Sequence, residues 1–287
     1  MNRDKKNIAT HIANLSGEER LYKVTLSNYY KVNQYSLEDT TGDFYSFKSG
    51  FEKHFKLLCV GHHLPSVSRD MVYQHLQKAQ EYALLRYREL TAPKDETIHY
   101  HYQGRDFYVQ GKGKEINVID GANWIELAFL TIVSGRYQDL NFLMEMLAKE
   151  QVEFLSEQSY LMNQLYLHCL GLMKHENIEQ LIEDLMTQIN LNKQSSRGKA
   201  HALCGITITL GFFDVMKAIH TQDEIAFRAA MKRALEMHKE WWTHSEEFSN
   251  NPSGYIAFPL LTATKYAKEK YGYSLDFESD YLPIDLI

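Results

Sequence analysis

Apolar residues recur at three- and four-residue intervals along most of this chain. In residues 178–189 they fall at Ile178, Leu181, Ile182, Leu185, Met186 and Ile189, a single stripe on a 3.6-residue period. Residues 225–242 repeat the pattern with Phe227, Met231, Ala234, Leu235, His238 and Trp241-Trp242. A third stripe, Val72, Leu76, Ala79, Ala83 and Tyr87, follows Pro65. The period predicts amphipathic helices packed on one another, and a content of only five prolines leaves them uninterrupted. One stretch changes period. Residues 97–109 alternate as Ile98, Tyr100 and Tyr102, then Gln103-Gly104-Arg105-Asp106, then Phe107 and Val109. A two-residue period around a glycine turn predicts a β-hairpin, and the alternation extends to Ile116-Asn117-Val118.

From residue 121 onward an apolar helix, a short polar turn and a second amphipathic helix recur. The turns are Gly135-Arg136-Tyr137-Gln138-Asp139, His175-Glu176-Asn177 and His220-Thr221-Gln222-Asp223. Their spacing of roughly 40 to 45 residues suits an array of helical hairpins. The expected fold is therefore mainly α: stacked antiparallel helical hairpins, repeat-like, with one small β-hairpin insertion. Three segments are expected to form one compact unit. They are an N-terminal helical region (1–92), the β-hairpin segment (93–120), and a hairpin-repeat region ending in a C-terminal strap (121–287).

Length and composition narrow the class. At 287 residues and 44% apolar content the chain can bury a substantial core. A formal net charge of -6 and a pI near 6.1 speak against a general nucleic-acid binder, which needs a basic face. The same charge can steer the chain toward a basic partner. Cys59, Cys169 and Cys204 are odd in number, far apart and set among apolar residues, so they read as reduced core thiols of a cytoplasmic protein. Met1-Asn2-Arg3-Asp4-Lys5-Lys6 carries charge with no apolar run behind it, so no signal peptide is expected. The longest apolar run, 203–213, is interrupted by threonines and ended by Asp214. It reads as too short for a bilayer and suited to a buried helix.

Candidate chemistry is thin. His99 and His101 share one face of the expected strand and offer two metal ligands without a third. His62-His63, with His54 and Cys59 nearby, lack zinc-site spacing and read as the end of a helix. Gly111-Lys112-Gly113-Lys114 lacks the upstream glycine and the following Ser or Thr of a phosphate loop, and reads as turns with solvated lysines. No nucleophile elbow, zinc-protease helix or dinucleotide fingerprint occurs. No enzyme activity, cofactor or metal is expected.

The features that stand out belong to recognition. Trp241 and Trp242 are neighbours on a helix, so one indole can enter the core while the other faces a rim or a partner. Glu246-Glu247 follow, an adjacent acidic pair of the kind that usually faces solvent on an exposed helix. The tail interleaves Asp276, Glu278, Asp280 and Asp285 with Leu275, Phe277, Tyr281 and Leu282. Its apolar residues read as a strap and its carboxylates as water-facing or available to a basic protein.

Several of these elements together resemble the Immunity Protein 49 family, helical antidotes encoded beside bacterial polymorphic toxins. They are Asn123-Trp124 opening an apolar helix, the 135–139 turn, Ala226-Phe227 before the double-Trp helix, Ser253-Gly254-Tyr255-Ile256 and the terminal Tyr281-Leu282-Pro283. The resemblance covers residues 123–287. It implies a stoichiometric antidote that neutralises a cognate, cytoplasm-acting and basic toxin domain, with a nuclease as one candidate. It implies no direct contact with nucleic acid and none with a membrane. The expected partner-binding residues are Trp241, Trp242, Glu246, Glu247, Asp276, Glu278 and Asp280. The alternative is a helical-repeat scaffold or regulatory protein binding another cytoplasmic protein. A metal-dependent enzyme built on the His62-His63 or His99/His101 pairs comes third.

Overall fold

The computed structural model describes every residue except 1–6, 13, 37–43, 103–104, 114–118 and 196–197. In chain order the elements are β1 (Asn7–Ile8), α1 (Leu15–Ser36), α2 (Phe44–Gly61), α3 (Arg69–Thr91), β2 (Thr97–Tyr102), β3 (Arg105–Gln110) and β4 (Ile119–Asp120). There follow α4 (Gly121–Val133), α5 (Leu140–Ala148), β5 (Val152–Glu153), α6 (Glu157–Cys169) and α7 (Ile178–Lys193). The last are α8 (Lys199–Cys204), a π-helical stretch (Gly205–Leu210), α9 (Gly211–His220), α10 (Glu224–Thr243), α11 (Glu246–Ser249), α12 (Phe258–Tyr271) and β6 (Glu278–Ser279). The fold is mainly α, and the described strands pair only in twos.

The chain divides into two compact units. One takes in Ala13–Glu153. Its centre is α3, whose N-cap Ser68 accepts the Met71 amide and whose stripe Val72, Leu76, Ala79, Ala83 and Tyr87 is buried as the periodicity predicts. α3 packs against both α2 and α4. The expected hairpin is present as antiparallel β2 and β3. Its inner face lays Val109 and Tyr100 on Phe47, Tyr82 and Leu85, which is why a two-residue period appears amid helices. The expected extension at 116–118 lies outside the described residues. α4 is buried along nearly its whole length, and Trp124 donates its indole N–H to the Leu143 carbonyl at 3.2 Å. In the following turn Asp139 accepts from Gln80 at 3.1 Å and faces Arg136 at 3.1 Å.

The other unit takes in Phe154–Asp285 with the N-terminal segment that ends at Ile12. α6 and α7 pack together, as do α9 and α10, so the turns at 175–177 and 220–223 close helical hairpins. Asn177 and Asp223 cap the second helix of each pair, accepting the Gln180 and Ala226 amides. The apolar run at 203–213 does not stand alone, because α8, the π-helical stretch and α9 continue as one helix, Lys199–His220. Its 22 residues, with a mean hydropathy of 1.6 in the best window, are long and apolar enough to cross a bilayer; the expectation that the segment is too short is corrected. The threonines that appeared to break it face inward. Thr207 donates to the Leu203 carbonyl and Thr209 meets the Tyr166 hydroxyl, so their hydroxyls are satisfied inside the helix packing. That helix packs on α6 and α10, with just over half of its apolar window buried.

Candidate partner-binding surface

α10 organises the candidate site. Its buried line, Phe227, Ala230, Met231, Ala234, Leu235, His238 and Trp241, follows the helical period from the N-cap to the last turn. At its C-terminal end Trp241 is buried, only 8% exposed, and Trp242 is half-buried. The two indoles differ in depth yet still meet edge to face, with centroids 6.4 Å apart. Trp241 stacks on His244, with centroids 4.7 Å apart, and meets Phe248 edge-on at 4.9 Å. Trp242 lies against Phe248 at 5.8 Å and His238 at 6.1 Å. Phe248 is brought there by α11, which Ser245 caps. Glu246 and Glu247 occupy the first turn of α11 and are exposed.

The tail runs along α10 as a strap. α12 ends at Gly272, whose φ of 70° is left-handed and turns the chain back. Arg228 then donates to the Ser274 carbonyl at 2.8 Å. Lys232 pairs with Asp276 at 3.1 Å while its ammonium sits 4.9 Å from the centre of the Phe277 ring. The ring of Tyr281 meets that of His238 at 5.0 Å. Phe277, Tyr281 and Leu282 are buried, as the strap reading expects. Lys232 holds the Asp276 carboxyl below the usual carboxylate range, through its hydrogen bond first.

The N-terminal segment closes over this strap. β1 pairs in parallel with β6, placing Asn7 opposite Glu278 and Ile8 opposite Ser279. Asp280 accepts the Thr10 amide at 3.1 Å and gives its own amide to the Ile8 carbonyl. Lys239 of α10 donates to the Ala9 carbonyl at 3.3 Å. Nothing in the local pattern of 7–12 announces this pairing. The link became visible only when residues some 270 positions apart met.

The seven residues singled out from the sequence thus share one unit but not one role. Trp241 is core. Asp276 and Asp280 are engaged by Lys232 and Thr10. Glu246, Glu247 and Glu278 are exposed, and Trp242 is half so. Sequence reasoning passed over Glu236 and Glu240, exposed on the outer face of α10; they lie four residues apart and out of phase with the buried line, which was the available signal.

The histidine and lysine motifs are placed elsewhere. His99 faces Asp106 across the hairpin at 2.9 Å, and the side chain of His101 lies outside the described residues. His62 and His63 follow the end of α2, with ring centroids 4.7 Å apart. The amides of Gly111, Lys112 and Gly113 are taken by the carbonyls of Glu96, Glu89 and Ala92, so they do not cradle an anion. Lys112 is not simply solvated; it faces the buried carboxylate of Glu89 at 3.8 Å. Among the described residues no group of three or more His, Cys, Asp or Glu side chains is placed to hold a metal. Burial pushes the Cys169 and Cys204 thiols up to about 12, so neither is reactive at neutral pH.

The sequence model of the family described as Immunity protein 49 matches residues 68–286. The chain belongs to this family. The match begins at Ser68, the cap of α3, well before the Asn123 start of the resemblance read from motifs. It spans α3, the hairpin, the double-Trp helix and the strap, so the immunity-protein signature includes parts of both compact units. No curated protein and no solved structure matches the chain.

Proposed function

We propose that this protein is a stoichiometric antidote that neutralises a cognate toxin domain by binding it. The observation that carries the reading is the family match over residues 68–286. The protein acts by occupying or distorting the toxin, without catalysis or a cofactor. Its target is a basic, cytoplasm-acting domain, with nucleases the leading class, because the net charge of -6 favours association with a basic enzyme. The antidote works in the cytoplasm, and the packing of Lys199–His220 against α6 and α10 supports its role as a core helix.

Within this reading the contact surface is the corner where α10 meets α11. Glu246, Glu247 and the half-buried indole of Trp242 are available there, and Glu278 adds charge from the strap. Trp241, Asp276 and Asp280 hold that surface in shape. The test is co-expression with the toxin-like domain encoded beside the gene. Rescue of growth with a stable one-to-one complex supports the proposal. Rescue without a complex points to an enzyme that reverses the damage, and failure of both favours the scaffold alternative.

A further inference from the structure

The N-terminal segment is held to the strap by few contacts, and one of them is a titratable ring in an unfavourable setting. His11 sits between Tyr255 and Tyr281, with centroids 5.5 and 5.8 Å away. Its Nδ1 lies 2.9 Å from the Tyr281 hydroxyl, and its Nε2 is buried with no hydrogen-bond partner. A neutral imidazole tolerates this arrangement. An imidazolium needs an acceptor at both nitrogens, and here only one is supplied.

The charged and titratable neighbours compound the problem. α10 presents Lys239, already donating to Ala9 two residues before His11, and His238, whose ring shares Tyr281 with His11. The strap presents the Tyr281 hydroxyl and Asp280, whose carboxylate is turned to the Thr10 amide. The segment after α11 presents Tyr255. Two potential cations thus face the ring, while the nearby carboxylate serves the backbone.

We propose that residues 7–12 form an acid-released latch on the C-terminal strap, opened by protonation of His11. Opening would break the β1–β6 pairing and the Thr10–Asp280 hydrogen bond, freeing the Asp280 carboxylate and one edge of β6. α10 and its hairpin partner α9 would stay folded, because their buried lines do not include the latch.

Burial, then Lys239, lowers the His11 pKa to about 4, against 6.5 when the segment is free. The sign follows directly: the latch is fully closed above pH 6.5 and weakens as pH falls toward 4. If His11 alone titrates, its opening constant rises by up to about twentyfold between pH 7 and pH 5.

Hydrogen exchange of the full chain, followed by mass spectrometry at pH 7, 6 and 5 and corrected for intrinsic rates, tests this. The Thr10 and Asp280 amides are the direct reporters. The expected result is acceleration of peptides covering 7–12 and 277–283 well beyond that of 212–235, whose exchange follows the stability of the unit as a whole. His11→Gln should remove this excess. His11→Phe, which keeps a neutral ring, decides the matter if the glutamine variant leaves the latch open at pH 7. Three results would overturn the proposal: no acceleration in the parent, equal acceleration across α9 and α10, or acceleration that survives in a variant still latched at pH 7.

Discussion

Gly254 is the position where the candidate surface is most sensitive to a single added atom. It lies buried beneath the Trp242 indole, and its carbonyl faces His238 Nε2 at 3.0 Å. A Cβ built there would fall 2.3 Å from Cδ2, 2.5 Å from Cγ and 2.7 Å from Cε3 of Trp242. Two effects of Gly254→Ala compete. Loss of chain entropy in the unfolded state favours the variant by about 0.4–1 kcal/mol, and the native φ is not left-handed, so the backbone itself raises no objection. Against this stands overpacking, costing about 1–3 kcal/mol. The clash is with the base of a rigid ring rather than the tip of a flexible chain, so the indole must swing out. Swinging out loosens its contacts with His238 and Phe248. The clash therefore wins, with a net loss of about 1–2 kcal/mol. For a urea m-value near the top of the usual range, that lowers the midpoint by about 0.5 M. Urea titration followed by tryptophan emission reads both consequences, since a displaced Trp242 also shifts the native spectrum toward longer wavelength. Gly211→Ala is the matched control. Its Cβ would meet Ala234 at an ordinary 3.4 Å inside a helix, and the variant should be neutral or gain up to about 1 kcal/mol. If Gly254→Ala keeps the parent's midpoint and spectrum, the placement of Trp242 over Gly254 is wrong.

Further expectations concern charge and pH. Burial lowers His238 and His75 to about 4, and lowers His54, with His75 beside it, to about 3. These groups fold as neutral rings, so stability is fully present above pH 6.5 and falls as pH drops from there toward 4. Urea midpoints that stay flat from pH 7 to pH 5 would refute this. Burial raises Glu126 to about 7. The carboxyl folds protonated, so it costs stability increasingly from pH 4.5 up to about 7 and by a constant amount above; allowing for partial exposure, Glu126→Gln should stabilise the fold by about 1–2 kcal/mol more at pH 8 than at pH 5, read from urea titrations. Reversing Glu246 and Glu247 to lysine should slow association with the toxin domain by about tenfold at low salt while leaving thermal unfolding unchanged. Stopped-flow association rates that do not change would remove α11 from the contact. Asp276→Lys should instead destabilise the strap, because it opposes Lys232, and calorimetry should detect the loss even without toxin.

Much of the helical framework was legible because burial in an amphipathic helix imposes a period that a linear sequence records. The stripes on α3, α7 and α10 and the alternation of the hairpin were read from that record. The Asn177 and Asp223 caps fall in turns read from the same switching of pattern. The candidate site was legible only as a neighbourhood. Helical geometry gives Trp241 and Trp242 different depths, but which of them is core, and that their rings still meet, depends on where α11 carries Phe248 and where Gly254 lies. The carboxylates of the tail look alike in sequence. Asp276 is claimed by a lysine more than forty positions away, while Glu278 stays exposed.

What the sequence by itself determined is therefore the class: local period, capping and turn chemistry specify helices, and the motif pattern specifies an immunity protein. What only the tertiary structure decided is the assignment of individual polar groups. Residues 7–12 carry no periodic signal, yet they pair with β6 and enclose His11 between two tyrosines. Lys112, which reads as solvated, faces the buried carboxylate of Glu89. The threonines that seemed to break the 203–213 run sit in a continuous helix, Thr207 bonded to its own helix backbone and Thr209 to Tyr166 of α6. The physical reason is range. Secondary structure follows interactions between residues a few positions apart, whereas the charge state and availability of a side chain depend on whichever distant group the fold brings within a few ångströms.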